Sequence, residues 1–294
     1  MAPTYSAQSL FHANDLVVVI TGGGTGLGKM MAHAMAANGA KAVYILGRRQ
    51  EALDEAKVSS TNPDVIHTIV CDVTSKDSLT AAAAQVTQEV GYINVLFANS
   101  GVMTALVPAH DIDSLSIEAL QERLWRPDMD EFNHTYHVNV TGAFYSVVAF
   151  LTLLSEGNNR KVVPQKSQVI LTSSAGGYIR KPMGGFAYGT SKAAVTHMSK
   201  QLATLLSTWT IRVNTIAPGF YPSDMTNDMP FMSALGDPRV EGGMTKEMVP
   251  LMRCGAEEDL AGAVLFLVSP AGAYLDGNQL LTDGGRVGLL QATY

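Results

Sequence analysis

Leu16-Val-Val-Val-Ile20 runs directly into Thr21-Gly-Gly-Gly-Thr25-Gly-Leu-Gly28, and this junction decides the fold. Five consecutive apolar residues, four of them β-branched, read as a strand buried on both faces, because a half-exposed strand would alternate. Gly22, Gly26 and Gly28 then permit a tight turn and close backbone approach where a helix opens. A helix N-terminus holds a diphosphate through its free N–H groups. A glycine-rich loop is weak evidence elsewhere; between a strand and a helix it predicts dinucleotide binding. The helix is expected over about 27–38, with Met30, Met31, Ala34 and Met35 as apolar positions and Gly39 as its stop.

Outward from that junction the alternation repeats. Residues 43–46, 65–70, 93–98, 168–172, 211–216 and 279–281 read as strands. Residues 50–58, 75–90, 129–154, a segment carrying Tyr188 and ending near 207, and 257–268 read as helices, with Ser75 placed as an N-cap. The expected class is α/β: a doubly wound parallel sheet with helices on both faces, in a single domain spanning 1–294. Two stretches read as additions. The segment 222–250, rich in Met, Pro, Gly and Asp, is expected to be a substrate lid, and 103–128, with a short helix within 111–126, a mobile surface connection.

Composition narrows the function. Net charge is −6, and the basic residues fall in scattered pairs such as Arg48-Arg49 and Arg180-Lys181, which argues against nucleic acid. Cys71 and Cys254 form no Cys-x-x-Cys, so neither a disulfide framework nor a cysteine zinc site is suggested, and a cytoplasmic setting is expected. The first residues lack the charged start and apolar run of a signal peptide. The apolar run 143–154 is too short to span a bilayer, so no membrane partner is expected. His134 and His137 have no third ligand nearby in sequence, so no metal is expected.

The chemistry sits after the strands, on the edge where such sheets bind ligands. The second strand ends at Gly47-Arg48-Arg49, with no carboxylate to hold a ribose diol; arginine there pairs with a 2′-phosphate, which favours NADP over NAD. Asp72 is placed to accept a hydrogen bond from adenine or to cap the next helix, and Asn99 and Gly101 to line the cofactor or fix a turn. Tyr188 and Lys192 are four apart, which on a helix puts a phenol and an ammonium on one face. A nearby positive charge is expected to lower the phenol's pKa, making the pair a proton donor or acceptor near neutral pH.

Taken together, Thr21-Gly22-x-x-x-Gly26-x-Gly28, Asp72, Asn99-x-Gly101, Asn139, Ser174, Tyr188-x-x-x-Lys192 and Pro218-Gly219 occur in the order found in the short-chain dehydrogenases/reductases. The chain resembles that family from about residue 17 to 285, and its fungal members of secondary metabolism most of all. The resemblance implies a Rossmann fold and NADP (NADPH) held by Thr21, Gly22, Thr25, Gly26, Leu27, Gly28, Arg48, Arg49, Asp72, Val73, Asn99, Gly101, Tyr188, Lys192, Pro218, Gly219, Tyr221 and Ser223. It implies Tyr188 as proton donor to a carbonyl oxygen, with Lys192 lowering its pKa and holding the nicotinamide ribose. Ser174 would bond the substrate oxygen, and Asn139 would anchor a water that relays protons to Lys192. Ser173 is the alternative to Ser174; aligning the preceding strand without a gap favours Ser174. The family's Asn-Asn-Ala-Gly is Ala98-Asn99-Ser100-Gly101 here, and its usual threonine is Ser223.

The activity so implied is reduction of a ketone or other carbonyl on a small, partly apolar substrate by hydride transfer, in a homodimer or homotetramer. Apolar character is expected from Met103, Phe220, Tyr221, Met225, Met229 and Phe231. Two other uses stay open: a non-redox role such as cyclase, isomerase or cofactor sensor, and an NAD-dependent alcohol dehydrogenase.

Overall fold

Seven parallel strands form one sheet, in the order β3-β2-β1-β4-β5-β6-β7, in the computed structural model of the chain. It describes residues 5–107, 112–182, 184–226, 229, 232 and 234–293, residue 113 by its backbone alone. The strands are β1 (Val17–Thr21), β2 (Ala42–Gly47), β3 (Ile66–Val70), β4 (Val95–Ala98), β5 (Gln168–Thr172), β6 (Arg212–Pro218) and β7 (Gln279–Thr282). The winding reverses between β1 and β4, which pair at Val18↔Val95 and Ile20↔Phe97. A crevice therefore opens beyond Thr21 and Ala98, the switch point at which doubly wound sheets take ligands.

Side chains alternate along each strand, so β1 feeds two cores. Val17 and Val19 face one layer, and Val18 and Ile20 the other. The first layer is closed by α4 (Lys76–Glu89), α7 (Ala143–Arg160) and α8 (Phe186–Leu206), through Leu79, Phe150, Val195 and Leu202 among others. The second is closed by α2 (Gly26–Ala37), α3 (Gln50–Val58) and α9 (Glu257–Val268), through Met31, Met35, Leu53, Leu260 and Val264. Fully burying each such side chain contributes about 1.5–3 kcal/mol before the entropy of ordering it is counted. α1 (Ala7–Leu10) is one short turn ahead of β1.

Several boundaries differ from the sequence reading, each for a visible reason. Residues 93 and 94 lie outside β4: Asn94 turns its Oδ1 to the Val17 N–H at 2.9 Å and ties the start of β1. The long helix runs on past 154. Its polar end, which reads as a stop, is held by Glu156–Arg160 at 3.0 Å and by Asn158, whose Oδ1 accepts from Ser167 N at 2.8 Å. Within 103–128 a helix does form, α5 (Ile117–Trp125), capped by Ser116. α6 (Met129–Tyr136) then continues into α7 through a π turn, His137–Gly142. The described part of 222–250 is made of turns, with Met229, Met232, Met244, Val249 and Cys254 gathered in a small satellite core.

Candidate active site

α8 sets the chemistry. It places Tyr188 and Lys192 on successive turns, with the Lys192 Nζ 5.8 Å from the phenol ring centroid. Lys192 is 4% exposed, and its ammonium donates to the Thr172 carbonyl at the end of β5, at 2.8 Å. Burial pulls it down from 10.5 to about 8. Tyr188 behaves differently from the sequence expectation. The ring is partly exposed, yet the packing around it raises its pKa, and the hydrogen bond with Ser174 only partly opposes this.

The structure separates the two serines that follow β5. Ser173 is 2% exposed; its hydroxyl donates to the Lys192 carbonyl at 2.9 Å and meets Thr196 Oγ1 at 2.7 Å, so it is consumed in fastening α8. Ser174 is partly open. It caps the short turn Ala175–Gly177, accepts from Gly176 N at 3.0 Å, and bonds the Tyr188 phenol. A Cβ on Gly176 would lie 3.4 Å from Ser174 Oγ and 3.6 Å from Tyr188 Cε1, so that glycine keeps the two polar groups uncovered.

Asn139 lies inside the π turn and is 1% exposed. Its Oδ1 accepts from Val102 N at 2.8 Å, and its Nδ2 donates to Val102 O and to Ser191 Oγ, each at 3.0 Å. Gly101 fits between this amide and Lys192: an added Cβ would stand 3.3 Å from Nζ and 3.4 Å from Asn139 Oδ1. Val73 presses on the same turn, where a Cβ on Gly142 would meet its Cγ2 at 2.8 Å.

The glycine loop forms the other half of the site. Gly22 and Gly26 have φ of +67° and +50°, a region in which side chains are strained. A Cβ on Gly28 would lie 2.0 Å from the Gly22 carbonyl. Thr25 caps α2 by position but makes no side-chain cap bond, which leaves the first N–H groups of Gly26, Leu27 and Gly28 without a helical partner. That donor set fits a diphosphate. Thr21 and Asn99 hold the loop: Thr21 Oγ1 accepts from Asn99 N at 3.0 Å and Ser100 N at 3.1 Å, and Asn99 Nδ2 returns to Thr21 O at 3.1 Å. The Asn99 side chain thus fixes the turn.

At the adenosine end, Arg48 and Arg49 are both exposed. Arg49 pairs with Asp224 at 3.5 Å across 175 residues of chain. The Asp72 carboxylate accepts from Thr74 N and Oγ1 at 2.9 and 2.7 Å; these bonds first, and the charge of Arg48 further down, hold it below its ordinary value. Ser75 caps α4, accepting from Ser78 N.

Past β6, Gly219 N donates to Thr282 O at 2.9 Å, which ties the Pro218-Gly219 loop to β7. Ser223 stands over the glycine loop, its Cβ 3.1 Å from where a Gly26 Cβ would be. The structure does not bring the Tyr221 side chain to this loop. It is 4% exposed, packed on Gly255, and lines with Phe220, Val249, Leu251 and Arg253 a cavity of about 540 Å³. Met229 likewise packs into the satellite core. Phe231 lies outside the described residues. Met103 does reach the site: its sulfur is 3.0 Å from a Cβ placed on Gly184, which would itself meet Tyr188 Cδ1 at 3.3 Å. Sequence reasoning passed over Ser191 and the Thr172 carbonyl, because a helical serine and a backbone oxygen carry no motif.

Comparison with known proteins agrees with this geometry. The family model described as short chain dehydrogenase matches residues 16–232. The short-chain dehydrogenase/reductase PhomF of Diaporthe leptostromiformis is 42% identical over all of this chain and 99% of its own. VdtF of Byssochlamys spectabilis, also a short-chain dehydrogenase/reductase, is 38% identical over 98% of each chain. Among solved structures, the Pseudomonas aeruginosa RhlG/NADP active-site complex superposes with a TM-score of 0.78 at 25% identity, over 95% of this chain and 99% of that one. With full-length likeness to such relatives and a serine, tyrosine and lysine gathered at the switch-point edge, the chain belongs to the short-chain dehydrogenases/reductases, oxidoreductases that use a nicotinamide cofactor.

Proposed function

We propose that the chain is an NADPH-dependent reductase that converts a ketone or other carbonyl on a small, partly apolar, polyketide-like substrate to an alcohol. One observation carries the reading: Tyr188 stands beside Ser174, with the buried Lys192 ammonium 5.8 Å from its ring, and its surroundings favour the protonated phenol. A protonated phenol is the form a reduction requires, since the product alkoxide must receive a proton. The cofactor, when bound, supplies the hydride to the carbonyl carbon. Ser174 donates to the carbonyl oxygen and steadies the charge that develops there. Tyr188 delivers its proton to that oxygen. Lys192, which titrates near 8, replaces the proton through water anchored at the Asn139 turn. Asp72 and Ser223 flank the cofactor groove, with Val73 backing it.

NADPH is favoured over NADH because β2 ends at Gly47 without a carboxylate and leaves Arg48 exposed. With Arg49 engaged by Asp224, Arg48 is the readier partner for a 2′-phosphate. The NADP named in the RhlG structure points the same way. Met103 beside Tyr188 supports a partly apolar substrate. A cytoplasmic enzyme of fungal secondary metabolism, working as a homo-oligomer, is the setting we infer from the cysteine usage and the resemblance to the family. Fluorescence titration with NADPH and NADH tests the cofactor assignment: tighter NADPH binding, weakened about tenfold or more in Arg48→Ala, is expected from loss of one charge-assisted contact. Equal or tighter NADH binding would sink it.

A further inference from the structure

Ser191 lies between the two residues of the helical pair and bonds Asn139 rather than carrying a motif of its own. It is fully buried. Its one proton goes to the Tyr188 carbonyl at 2.7 Å. Its lone pair therefore faces the Asn139 amide nitrogen at 3.0 Å and accepts from it. Ser199, about two turns further along the same helix, makes only the first kind of bond among the described residues, back to Thr196 O at 2.8 Å.

This arrangement fixes the Asn139 amide in one orientation. A flipped amide would set its oxygen against the Val102 carbonyl and the Ser191 lone pair and its NH₂ against the Val102 N–H, three repulsive contacts in place of three bonds. The unflipped amide holds three elements together: the Val102 loop after β4, the π turn and α8. Lys192 is the next residue along α8, and only Gly101 separates its ammonium from Asn139. A π turn is an uncommon interruption of a helix and marks functional sites. Here the amide of a residue within the turn ties its register to the Val102 loop and α8.

We propose that Ser191 is a positioning residue for proton delivery, acting through Asn139 to hold the π turn against α8. The proposal rests on the reductase reading for its effect on turnover, while the hydrogen-bond chain itself stands apart from that reading.

The test combines kinetics with amide hydrogen exchange on purified full-length protein. The variants are Ser191→Ala, Ser191→Thr, Ser199→Ala, Asn139→Ala and the Asn139→Ala/Ser191→Ala double variant. Misplacing a proton-delivering group by a fraction of an ångström lowers turnover, so Ser191→Ala should cut kcat roughly tenfold with KM for NADPH nearly unchanged. Ser199→Ala should match wild type, and Ser191→Thr, which keeps the hydroxyl, should retain most of the activity. The double variant should be no slower than Asn139→Ala, because both remove one chain of bonds. The Val102 amide should lose protection in Ser191→Ala and Asn139→Ala alike. Unchanged kcat in Ser191→Ala, losses that multiply in the double variant, equal damage from Ala and Thr, or unchanged Val102 protection each overturns the proposal. If wild type reduces no carbonyl, the reductase reading fails, and Val102 protection alone then decides whether Ser191 positions Asn139.

Discussion

At the scale of single residues, the site rests on a buried lysine held near the edge of its charged range. Folding lowers the Lys192 pKa from 10.5 to about 8, so the unfolded chain binds that proton more tightly. The cost is full below pH 8 and fades as pH rises toward 10.5, amounting to roughly 3 kcal/mol. Lys192→Met should therefore be more stable than wild type at pH 7 while inactive, with the gap in urea midpoint narrowing by pH 9.5. A gap independent of pH would count against the buried charge. The serines give a second contrast. Ser174→Ala should lower kcat about 10²-fold or more with little change in stability, as for loss of a donor to a developing oxyanion. Ser173→Ala should chiefly lower the melting temperature, because it removes a buried bond to α8 worth about 1 kcal/mol. The Tyr188–Lys192 spacing was legible in the sequence because helical geometry is local. The direction of the Tyr188 pKa was not, because burial is a property of everything packed around the ring.

Elements carry the cofactor half of the site. The strand–glycine–helix junction was plain, since each glycine answers a local need of the backbone. Gly28→Ala tests it: the new Cβ would strike the Gly22 carbonyl. Such overpacking costs about 1–3 kcal/mol, and cofactor affinity should fall with stability, read by thermal melting with and without NADPH. The π turn left no mark in the sequence, because His137-Val-Asn139-Val-Thr-Gly142 has the apolar spacing of an ordinary helix and is reshaped by partners distant in the chain. The segment 222–250 stood out by composition, but the contacts of the loop just before it did not: Phe220 and Tyr221 turn into a cavity shared with Val249, Leu251 and Arg253. Asp224 reaches Arg49 from that segment, though both groups are well exposed. Asp224→Asn should change stability by less than about 0.5 kcal/mol, an outcome checked by chemical denaturation.

For the whole molecule, alternation of strands and helices was enough to give a parallel, doubly wound sheet, since right-handed crossovers leave few other topologies. What the sequence does not display is which helix faces stay uncovered. Phe132, Phe144 and Val148 lie about one or three turns apart along the continuous α6–α7 helix and remain 39%, 38% and 44% exposed. A second copy covering this stripe is the expected use, so sedimentation should show a dimer or tetramer in wild type. Phe144→Glu with Val148→Glu should shift it toward monomer; an unchanged mass would place the interface elsewhere. The central claim concerns the reaction. The most direct measurement is NADPH consumption with a panel of quinones, β-keto esters and aromatic ketones, comparing wild type with Tyr188→Phe. Wild type should oxidise NADPH with at least one class, and Tyr188→Phe should bind NADPH equally well yet turn over at least about 10²-fold more slowly. Undiminished turnover in Tyr188→Phe, or tight NADPH binding with no consumption by any carbonyl, would contradict the account.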